Sequence, residues 1–518
     1  MHHLHRGLIM TRKHLVVTTA IISVIMLLLL AQTQLTAKSA ELVRLLPLAA
    51  QTEPPGTLDE ALQITHGPMS GEVTAETAVL WARGSEAGEL RFELASTAAF
   101  TDTLDVRIAL VDEESDLTGE TAVNGLEPGT LYHYRVALTG GDSRSEYATG
   151  QFKTAPAADA EAENAAFSFV FGSCLGGQGY CRDPETGWAI FETMRLEQPD
   201  FMILTGDTIY GDSACTEPNN VPGSEGPFAD LDGFRSRYRY HLEDENYAAF
   251  LRQTPVYVTW DDHEVIDDFG GPALSRLNPQ LLADGSQAFF DYWPLAANAD
   301  GENQIYRKIS YGPQADIFML DTRSYRDPNV NWDPNPRTLA PKTMLGAEQF
   351  AWLQAGLAAS TATWKFIVTS TPLSYPTGFP QPEVDGRDGW ANYSEHSGYE
   401  TELMSLIFFV TAHNVDNVVF LTGDTHYPFA LSYDPDRDGT ANFHEFGSSP
   451  ISAINLPPVA IPDQTFNPTV LYAEGEFQGT LFNFGQVQVD EAGNLTFRVV
   501  DRDGAERFAT TLEPKSRD

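Results

Sequence analysis

The sequence of 518 residues predicts a multidomain protein in which an all-β sandwich precedes an α/β domain. The chain is too long for one ordinary domain. Its first part is dominated by short segments in which polar and apolar residues alternate, as in the strands of a sandwich. After residue 166, continuous apolar runs alternate with segments of helical length. Such runs are typical of strands buried on both faces of a sheet.

The first 40 residues are predicted to be a signal peptide or a retained N-terminal anchor. Basic and histidine residues precede the apolar run 15–31, and Ala37 and Ser39 offer small side chains for cleavage. The anchor stays an alternative because the run is only just long enough to span a bilayer. Both interpretations predict export to the periplasm, to the extracellular space or to the outer face of a membrane. Residues 41–63 are predicted to form a linker.

Residues 64–156 contain short alternating segments about ten residues apart, with turn residues between them. This spacing predicts a β-sandwich. The segment 125–136, with Trp81 upstream, resembles the corner between strands E and F of fibronectin type III and immunoglobulin-like domains. There, Tyr132 or Tyr134 would hold the turn. No catalytic side chains gather in this domain, so we interpret it as a spacer or a cap over the main domain.

The charge of the chain excludes some partners. Seventy-two acidic residues face 32 basic ones, which gives a formal net charge of −40. A field of this sign repels nucleic acid and anionic lipid. We therefore expect a monomer without a surface for nucleic acid and without membrane contact beyond a retained N-terminal anchor.

The α/β domain is predicted over residues 165–515. It contains the words "LTGDT" at 204–208 and again at 421–425, each at the end of an apolar run. Ligands of such sheets gather beyond the carboxyl ends of the strands. Asp207 and Asp424 could therefore converge on one metal cluster, to which each supplies a hard oxygen ligand.

Further residues that can bind metals stand near these strand ends. A single Gly-Asp pair is usually only a turn, but here several strand ends of one domain carry such residues. They are Cys174, Tyr210, His426 and the acid-rich segment 260–268.

In combination, these residues resemble the alkaline phosphatase D (PhoD) family. The matching words are "GSC" (172–174), "GDTIYGD" (206–212), "WDDHEV" (260–265), "LDTRSYR" (320–326), "LGAEQFAWL" (345–353) and "GDTH" (423–426). The resemblance implies an αββα metallophosphoesterase fold with an iron and calcium cluster. The implied Fe(III) ligands are Cys174, Asp207, Tyr210 and His426. Asp207 would bridge to Ca(II), for which Asp424 would be a further ligand.

The segment after "WDDHEV" departs from the family. Where the family commonly has an asparagine, this chain has Asp267 and Asp268. We expect Asp267 to be the calcium ligand, with an added negative charge that strengthens calcium binding and repels phosphate. Asp262 and His263 either handle protons or orient the ligands from a second layer.

Arg323 is the candidate for gripping phosphate oxygens, because a guanidinium offers them paired donors. The alternative is an arginine paired with Asp321 or another acid nearby. The residues alone leave open which of the three cysteines is unpaired. With Cys174 as an implied metal ligand, the resemblance implies a disulfide between Cys181 and Cys215.

A second candidate calcium site lies in the segment 434–445. Its residues match ligand positions of the EF-hand loop, and they are Asp434, Asp436, Asp438 and Glu445. The flanking segments look like strands instead of helices. The segment is therefore either a structural calcium loop or an acidic hairpin turn.

These features predict an exported hydrolase that cleaves small phosphate mono- or diesters by attack of metal-activated water. The catalytic candidates are Asp207, Asp262, His263 and Arg323. No Ser or Thr stands beside a plausible base, which disfavours a covalent intermediate. One alternative is a phospholipase D-type phosphodiesterase on the same scaffold. Another is a calcium-binding adhesion protein without catalysis. The end of the chain is predicted to form closing strands.

Overall fold

The computed structural model describes residues 56–515 except for 162–164, 216–223, 296–303, 330–331, 335–337, 379–388 and 392–397. The predicted signal or anchor and most of the predicted linker lie outside the described residues. Within the described part of the chain, no helix has the length and apolar character needed to cross a membrane.

The N-terminal strands form a sandwich around a core of their own. They are β1 (Thr57–Leu58), β2 (Ile64–Gly71), β3 (Thr77–Gly84), β4 (Gly88–Ala95), β5 (Thr103–Val111), β6 (Thr118–Asn124), β7 (Leu131–Gly140), β8 (Ser143–Arg144) and β9 (Ala148–Lys153). One sheet has the order β1-β8-β7-β4-β5, with β9 also on β7, and β2, β3 and β6 pair side by side. Alternate residues of both groups, such as Leu80 and Phe92, share one apolar cluster. The Tyr132 hydroxyl accepts a hydrogen bond from the Glu127 N–H (2.9 Å), as expected for a tyrosine that holds this turn.

The remaining strands and the helices alternate along the chain. The strands are β10 (Phe167–Gly172), β11 (Phe201–Leu204), β12 (Val256–Val258), β13 (Arg307–Tyr311), β14 (Ala315–Met319), β15 (Trp364–Val368), β16 (Val418–Thr422), β17 (Phe429–Tyr433), β18 (Phe443–Gly447), β19 (Pro468–Ala473), β20 (Asn483–Val489), β21 (Leu495–Asp501) and β22 (Glu506–Leu512). The helices are α1 (Ile190–Leu196), α2 (Leu231–Leu242), α3 (Glu245–Leu251), α4 (Gly271–Leu277), α5 (Pro279–Tyr292), α6 (Gly346–Ala359) and α7 (Glu400–Ala412).

In the described residues, two mixed sheets lie face to face between two groups of helices. The first sheet has the order β22-β21-β20-β10-β11-β12-β2-β3-β6, and the second β13-β14-β15-β16-β18-β17-β19. Phe169 of β10 and Val419 of β16 belong to the cluster between the sheets. Val170 packs with helices α1 to α5, and Phe420 packs with α6 and α7. The predicted strands are therefore apolar throughout because each of their faces meets a different core.

The N-terminal strands are not separate from this architecture, because one of them extends the first sheet. Strand β2 pairs with β12, where Gly71 lies opposite Val256. A Cβ atom at Gly71 would come within 2.6 Å of Pro294 and 2.8 Å of the Val256 carbonyl oxygen, so only glycine fits this close approach. Residues 55–518 accordingly form one compact unit, although the sequence pattern changes at residue 166.

Parallel pairing brings the candidate segments to one edge of each sheet. Strand β10 is parallel to β11, which is parallel to β12, and β14, β15 and β16 are also parallel neighbours. Five of the six words quoted above stand at the ends of these strands, whereas "LGAEQFAWL" begins helix α6. The predicted closing strands at the end of the chain are present as β20, β21 and β22.

The second candidate calcium segment is a hairpin, since it connects the antiparallel strands β17 and β18. The carboxylates of Asp434, Asp436 and Asp438 lie within 4.8 Å of one another. Glu445 does not join them, so its assignment as a ligand is wrong. It lies in β18, completely buried, and accepts hydrogen bonds from the Leu373 N–H (2.8 Å) and the Tyr433 hydroxyl. Calcium binding by the three aspartates stays a prediction.

Burial raises the pKa of Glu445 to about 7 from an ordinary value of 4.5. The folded state therefore holds the proton more tightly than the unfolded state. Unfolding free energy should fall by roughly 3 kcal/mol as the pH rises from about 4.5 to about 7. We expect Glu445→Gln to remove this part of the pH dependence, as measured by urea unfolding at a series of pH values. Glu506→Gln, at an exposed position of β22, is the control. An unchanged pH profile in Glu445→Gln would contradict this assignment.

Candidate active site

Several strand ends carry residues in the left-handed region of backbone conformation, which is unfavourable for side chains other than glycine. Their φ angles lie between 49° and 63°, and they are Cys174, Asp207, Asp268, Asp424 and His426. Backbone strain of this kind persists where the surrounding structure enforces it, and it clusters at functional sites. Four of the six metal ligands predicted from the sequence are among these strained positions, whereas Tyr210 and Asp267 are not.

The two "LTGDT" turns lie against each other. A Cβ atom at Gly423 would be 2.8 Å from Thr205 Oγ1, in the first copy of the word. A Cβ atom at Gly206 would be 2.6 Å from Asp261 Cβ, in the segment after β12. The glycines therefore allow three strand-end turns to approach more closely than any larger residue would permit. This close approach brings residues together that are more than 200 positions apart.

The four residues for which the resemblance implies iron binding form one buried cluster. The ligand atoms of Cys174, Asp207 and His426 lie within 4.8 Å of one another. The Tyr210 hydroxyl is 3.1 Å from Asp207 Oδ2 and 3.0 Å from His426 Nε2. His426 Nδ1 lies 2.6 Å from the Ile454 carbonyl oxygen, to which it must donate its proton. Nε2 is therefore left with its lone pair directed at the cluster.

The electrostatics of this cluster fit a bound cation. Burial, together with neighbouring carboxylates, raises the pKa of Cys174 to about 12. Burial and nearby acids also raise the pKa values of Asp207 and Tyr210 well above their ordinary values. Burial lowers the pKa of His426 to about 4, which keeps its imidazole neutral. A cation of high charge would supply the positive charge that stabilises the ionised forms of these donors, and it would compensate the cost of their burial.

A second group of donors begins at the same aspartate. The ligand atoms of Asp207, Asp262 and His263 lie within 4.8 Å of one another, and so do those of Asp262, Asp267 and Asp268. Asp267 is half exposed, whereas Asp268 is buried and its N–H donates to Asp262 Oδ2 (2.5 Å). Asp207 thus borders two adjacent groups of oxygen and nitrogen donors. The structure brings both Asp267 and Asp268 next to Asp262.

Asp424 lies beside the first group without joining it. Its N–H donates to Ser173 Oγ (3.3 Å), and its charge is one of the causes that raise the pKa of Cys174. Its carboxylate is not among the groups of donors within 4.8 Å found in the described residues. The position is near enough for a ligand of a neighbouring cation, as predicted, but its role stays a prediction.

Arg323 is paired with nearby acids, and its predicted binding of phosphate oxygens stays a prediction. Its side chain is completely buried, and its Nε donates to Asp261 Oδ1 (2.7 Å). Its Nη1 donates to the Phe269 carbonyl oxygen (3.3 Å), and its Nη2 is 3.7 Å from Asp262 Oδ2. The alternative interpretation, an arginine paired with a nearby acid, is therefore correct, although the acid is Asp261 and not Asp321. The guanidinium therefore compensates buried carboxylates, and its Nε and Nη1 are held by protein acceptors.

Sequence reasoning missed Asp212, which positions His263. The Asp212 carboxylate is 2.8 Å from His263 Nδ1, and it accepts a hydrogen bond from the Asp267 N–H (2.7 Å). Burial lowers the pKa of His263, but the charges of Asp212, Asp262 and Asp267 outweigh it, so the pKa lies well above its ordinary value. These three carboxylates favour the protonated form of His263. Asp212 belongs to the second Gly-Asp pair of the word "GDTIYGD". This repeated pair was a sequence signal that could have pointed to Asp212.

Glu264 was also missed, and it connects two of the strand-end turns. Its completely buried carboxylate accepts hydrogen bonds from the Thr208 N–H (2.6 Å) and hydroxyl (2.8 Å), and from the Asp261 N–H (3.0 Å). The turn after β11 is in this way fixed to the turn after β12. The run "WDDHEV" contains three acids, and the sequence does not indicate which of them bind a metal and which accept hydrogen bonds from the backbone.

Cys181 and Cys215 are bonded as a disulfide, and Cys174 is a free, buried thiol. The bond connects the loop after Cys174 with the loop after Tyr210. The N–H groups of Gly176 and Gly177 both donate to the Ser452 carbonyl oxygen, which fixes the first of these loops. The pairing is the one that the resemblance implied.

Comparisons with known proteins agree with this architecture. Residues 169–494 match the family model of the PhoD-like phosphatase, and residues 50–156 match that of the PhoD-like phosphatase N-terminal domain. Alkaline phosphatase D of Bacillus subtilis is 27% identical over 408 residues, which cover 73% of this chain and 67% of that protein. An uncharacterized protein of Schizosaccharomyces pombe is 24% identical over 178 residues, which cover 34% of this chain and 27% of that protein.

Two solved structures show the same fold. The structure of PhoD has a TM-score of 0.68 at 23% identity, and it covers 90% of this chain and 94% of its own. A purple acid phosphatase from yellow lupin (Lupinus luteus) seeds has a TM-score of 0.56 at 13% identity, and it covers 86% of this chain and 74% of its own.

The matched family and the buried donors at the sheet edge define a hydrolase of phosphoric esters. The chain belongs to the PhoD-like phosphatase family, since the family model spans more than half of its length. The family resemblance inferred from the sequence is thereby confirmed. The interpretation as an adhesion protein without catalysis is wrong, because the family is one of enzymes.

Proposed function

We propose that the protein is an exported, metal-dependent phosphoesterase of the alkaline phosphatase D type, which acts on phosphate mono- or diesters. The observation that carries this proposal is the buried cluster of thiol, carboxyl, phenol and imidazole groups where the residues after β10, β11 and β16 meet. The finer fold assignment, a fibronectin type III-like sandwich before an αββα metallophosphoesterase domain, belongs to the same proposal. It is supported by the two facing sheets between helices.

We assign the first group of donors to Fe(III), with Cys174, Asp207, Tyr210 and His426 as ligands. A thiolate and a phenolate together supply the negative charge that a trivalent ion needs, and the neutral imidazole completes the set. The oxygen-rich side of Asp207 suits Ca(II), which takes carboxylate ligands in flexible geometry. On that side, Asp262, Asp267 and Asp268 are the available carboxylates, and we keep Asp424, which lies beside the first group, as a further candidate ligand of Ca(II). When bound, such cations activate water as a nucleophile and neutralise charge on the phosphoryl oxygens.

His263 is the residue that we expect to deliver a proton. Asp212 accepts the proton of Nδ1, so Nε2 is the nitrogen that faces Asp267 and the second group of donors. The departing alkoxide or phenoxide needs a proton, and an imidazolium within hydrogen-bond reach supplies it. Its elevated pKa suits work at alkaline pH, because a histidine of ordinary pKa would have lost its proton there. Activity should accordingly fall as the pH rises above the pKa of His263.

Metal content and colour test this proposal together. We expect elemental emission of the purified protein to detect iron and calcium, and Tyr210 to give visible absorption by charge transfer to iron. Turnover of p-nitrophenyl phosphate and bis(p-nitrophenyl) phosphate should stop after chelation and return with the ions. A colourless protein with full turnover after chelation would contradict the proposal. The ratio of the two rates determines the preference for mono- or diesters.

Tyr210→Phe removes one hydroxyl group from the first group of donors. We expect loss of the visible absorption and at least a tenfold loss of iron affinity, because a phenylalanine can neither bind the ion nor supply the charge. Tyr238→Phe is the matched control, since Tyr238 is also a completely buried tyrosine and its hydroxyl contacts none of the candidate ligands. Equal loss of colour in both variants would point to general destabilisation and contradict the assignment.

A further inference from the structure

A buried arginine lies against the disulfide near the active site. Arg237 is completely buried, and its Nη1 is 2.8 Å from Cys215 Sγ. Its Nη2 donates to the Ser213 carbonyl oxygen (3.0 Å), and its Nε donates to Ser224 Oγ (3.3 Å). Throughout residues 56–515, apart from the gaps stated above, no carboxylate oxygen lies within 4.0 Å of this guanidinium. Each of its polar partners is neutral, and a disulfide sulfur is a weak acceptor.

This arrangement is unfavourable for a charged arginine. Burial of a guanidinium without a counter-charge costs several kcal/mol. Burial lowers the pKa of Arg237 to about 10, although Tyr240 and the more distant charges of Asp212 and Glu225 oppose this shift. A thiolate at Cys215 would supply the counter-charge at a distance that already exists. The surroundings of Cys215 therefore suit its reduced and ionised form better than its disulfide form.

The other sulfur of the bond is the one that can be approached. A cavity of about 720 Å³ is lined by Cys181, together with Trp188, Ser452 and Phe482. Cys215 is not part of its lining. Of the two cysteines, Cys181 is therefore the one that borders this cavity, whereas Cys215 lies beside Arg237.

We propose that the Cys181–Cys215 bond is a thiol–disulfide exchange site for dithiol reductants, in which Arg237 stabilises Cys215 as the leaving thiolate. One thiolate of the reductant attacks Cys181 Sγ, and the electron pair of the broken sulfur–sulfur bond passes to Cys215 Sγ. The second thiol of the reductant then breaks the mixed disulfide and releases Cys181, which takes a proton from water. The protein gains two electrons, and the reductant leaves as a disulfide.

Reduction would act on the proposed metal centre, and this part of the inference rests on the proposed function. The bond connects the loop that follows Cys174 to the loop that follows Tyr210. Gly177 lies so close to the Tyr210 ring that a Cβ atom there would be 2.6 Å from it. The Gln178 N–H donates to Ser213 Oγ (3.2 Å). Loss of the bond removes the covalent connection between the two loops, and we expect it to lower activity by loosening the positions of two candidate iron ligands.

The exchange equilibrium tests the proposal without any measurement of activity. The metal-loaded protein is equilibrated with mixtures of reduced and oxidised dithiothreitol, and the protein disulfide is quantified by mass after trapping. We expect Arg237→Met to make the disulfide at least about tenfold harder to reduce, because one unit of thiolate pKa changes the equilibrium tenfold. Arg182→Met is the control, since Arg182 is a neighbouring arginine that contacts Tyr240 instead of sulfur. Equal equilibria for wild type and Arg237→Met would overturn the proposal.

A second measurement avoids the risk that Arg237→Met folds poorly. In Cys181→Ser, Cys215 is a free thiol beside Arg237. We expect its thiolate absorbance to appear below the ordinary pKa of about 8.5. A titration midpoint at or above this value would overturn the proposal.

Activity before and after reduction of the wild type is the third measurement. Unchanged activity with the expected exchange equilibrium would refute the coupling to the metal centre and leave the exchange site intact, whereas an inactive oxidised protein would refute the proposed function alone.

Discussion

Asp207→Asn should abolish phosphatase activity, with a loss of at least about 1,000-fold in kcat/KM. Asp207 is the residue that both groups of donors share, and it lies at a strained turn between them. Asparagine keeps the size of the side chain but removes the charge that two cations would share. Loss of a residue that only orients a ligand commonly costs 10- to 100-fold, and a shared ligand should cost more. Steady-state turnover of p-nitrophenyl phosphate and elemental emission on the same sample measure this effect.

Asp438→Asn is the matched control for this change, because it removes one carboxylate from the exposed hairpin loop and leaves the strand-end turns intact. We expect activity within twofold of the wild type. If Asp207→Asn kept activity within tenfold and a full iron content, the assignment of a shared ligand would be wrong. Circular dichroism shows whether the fold is retained in both variants.

Arg323→Met should lower the unfolding free energy by about 3–5 kcal/mol, since it leaves the buried Asp261 carboxylate without its cation. Urea unfolding followed by fluorescence measures the effect. Arg507→Met removes the corresponding charge from a pair whose side chains are both 38% exposed, and we expect a change of about 0–1 kcal/mol. The two arginines therefore separate the effect of burial from the effect of charge.

A double substitution makes this prediction more specific. Asp261→Asn removes the uncompensated charge, so Arg323→Met combined with Asp261→Asn should be more stable than Arg323→Met alone. If Arg323 instead bound the substrate, Arg323→Met would raise KM with little change in the unfolding free energy. A stable Arg323→Met variant with a raised KM would support the role predicted from the sequence, which is binding of phosphate oxygens.

The positions of the site were predictable because strands and their ends have local signals. Apolar runs predicted strands buried on both faces, and the residues after β10, β11 and β16 were chosen because they follow such runs. Parallel neighbours end at the same edge of a sheet, so Cys174, Asp207 and His426 could be expected to meet. The family words made the resemblance specific, and the family models confirm it.

The partners of buried charges were not predictable in this way. Arg323 was a candidate for binding phosphate and Glu445 for binding calcium, yet each is completely buried and contacts other groups of the protein. Asp212 stands in a family word and Glu264 looks like an ordinary acid, but in both cases only the contacts show that they hold His263 and Thr208. A sequence gives the type of a side chain and its local periodicity, but not the opposite charge that chain-distant folding brings beside it.

The sequence by itself determined which segments become strands, which residue types end them and to which enzyme family the chain belongs. These properties follow from local apolar patterns and short words, since side chains must match the period of the element that carries them. Only the tertiary structure decided that the sandwich shares a sheet with the main domain, that Arg323 pairs with Asp261 and that Arg237 lies against Cys215. Packing decides which charged and polar groups become buried neighbours, and the energy of a buried charge depends on these neighbours.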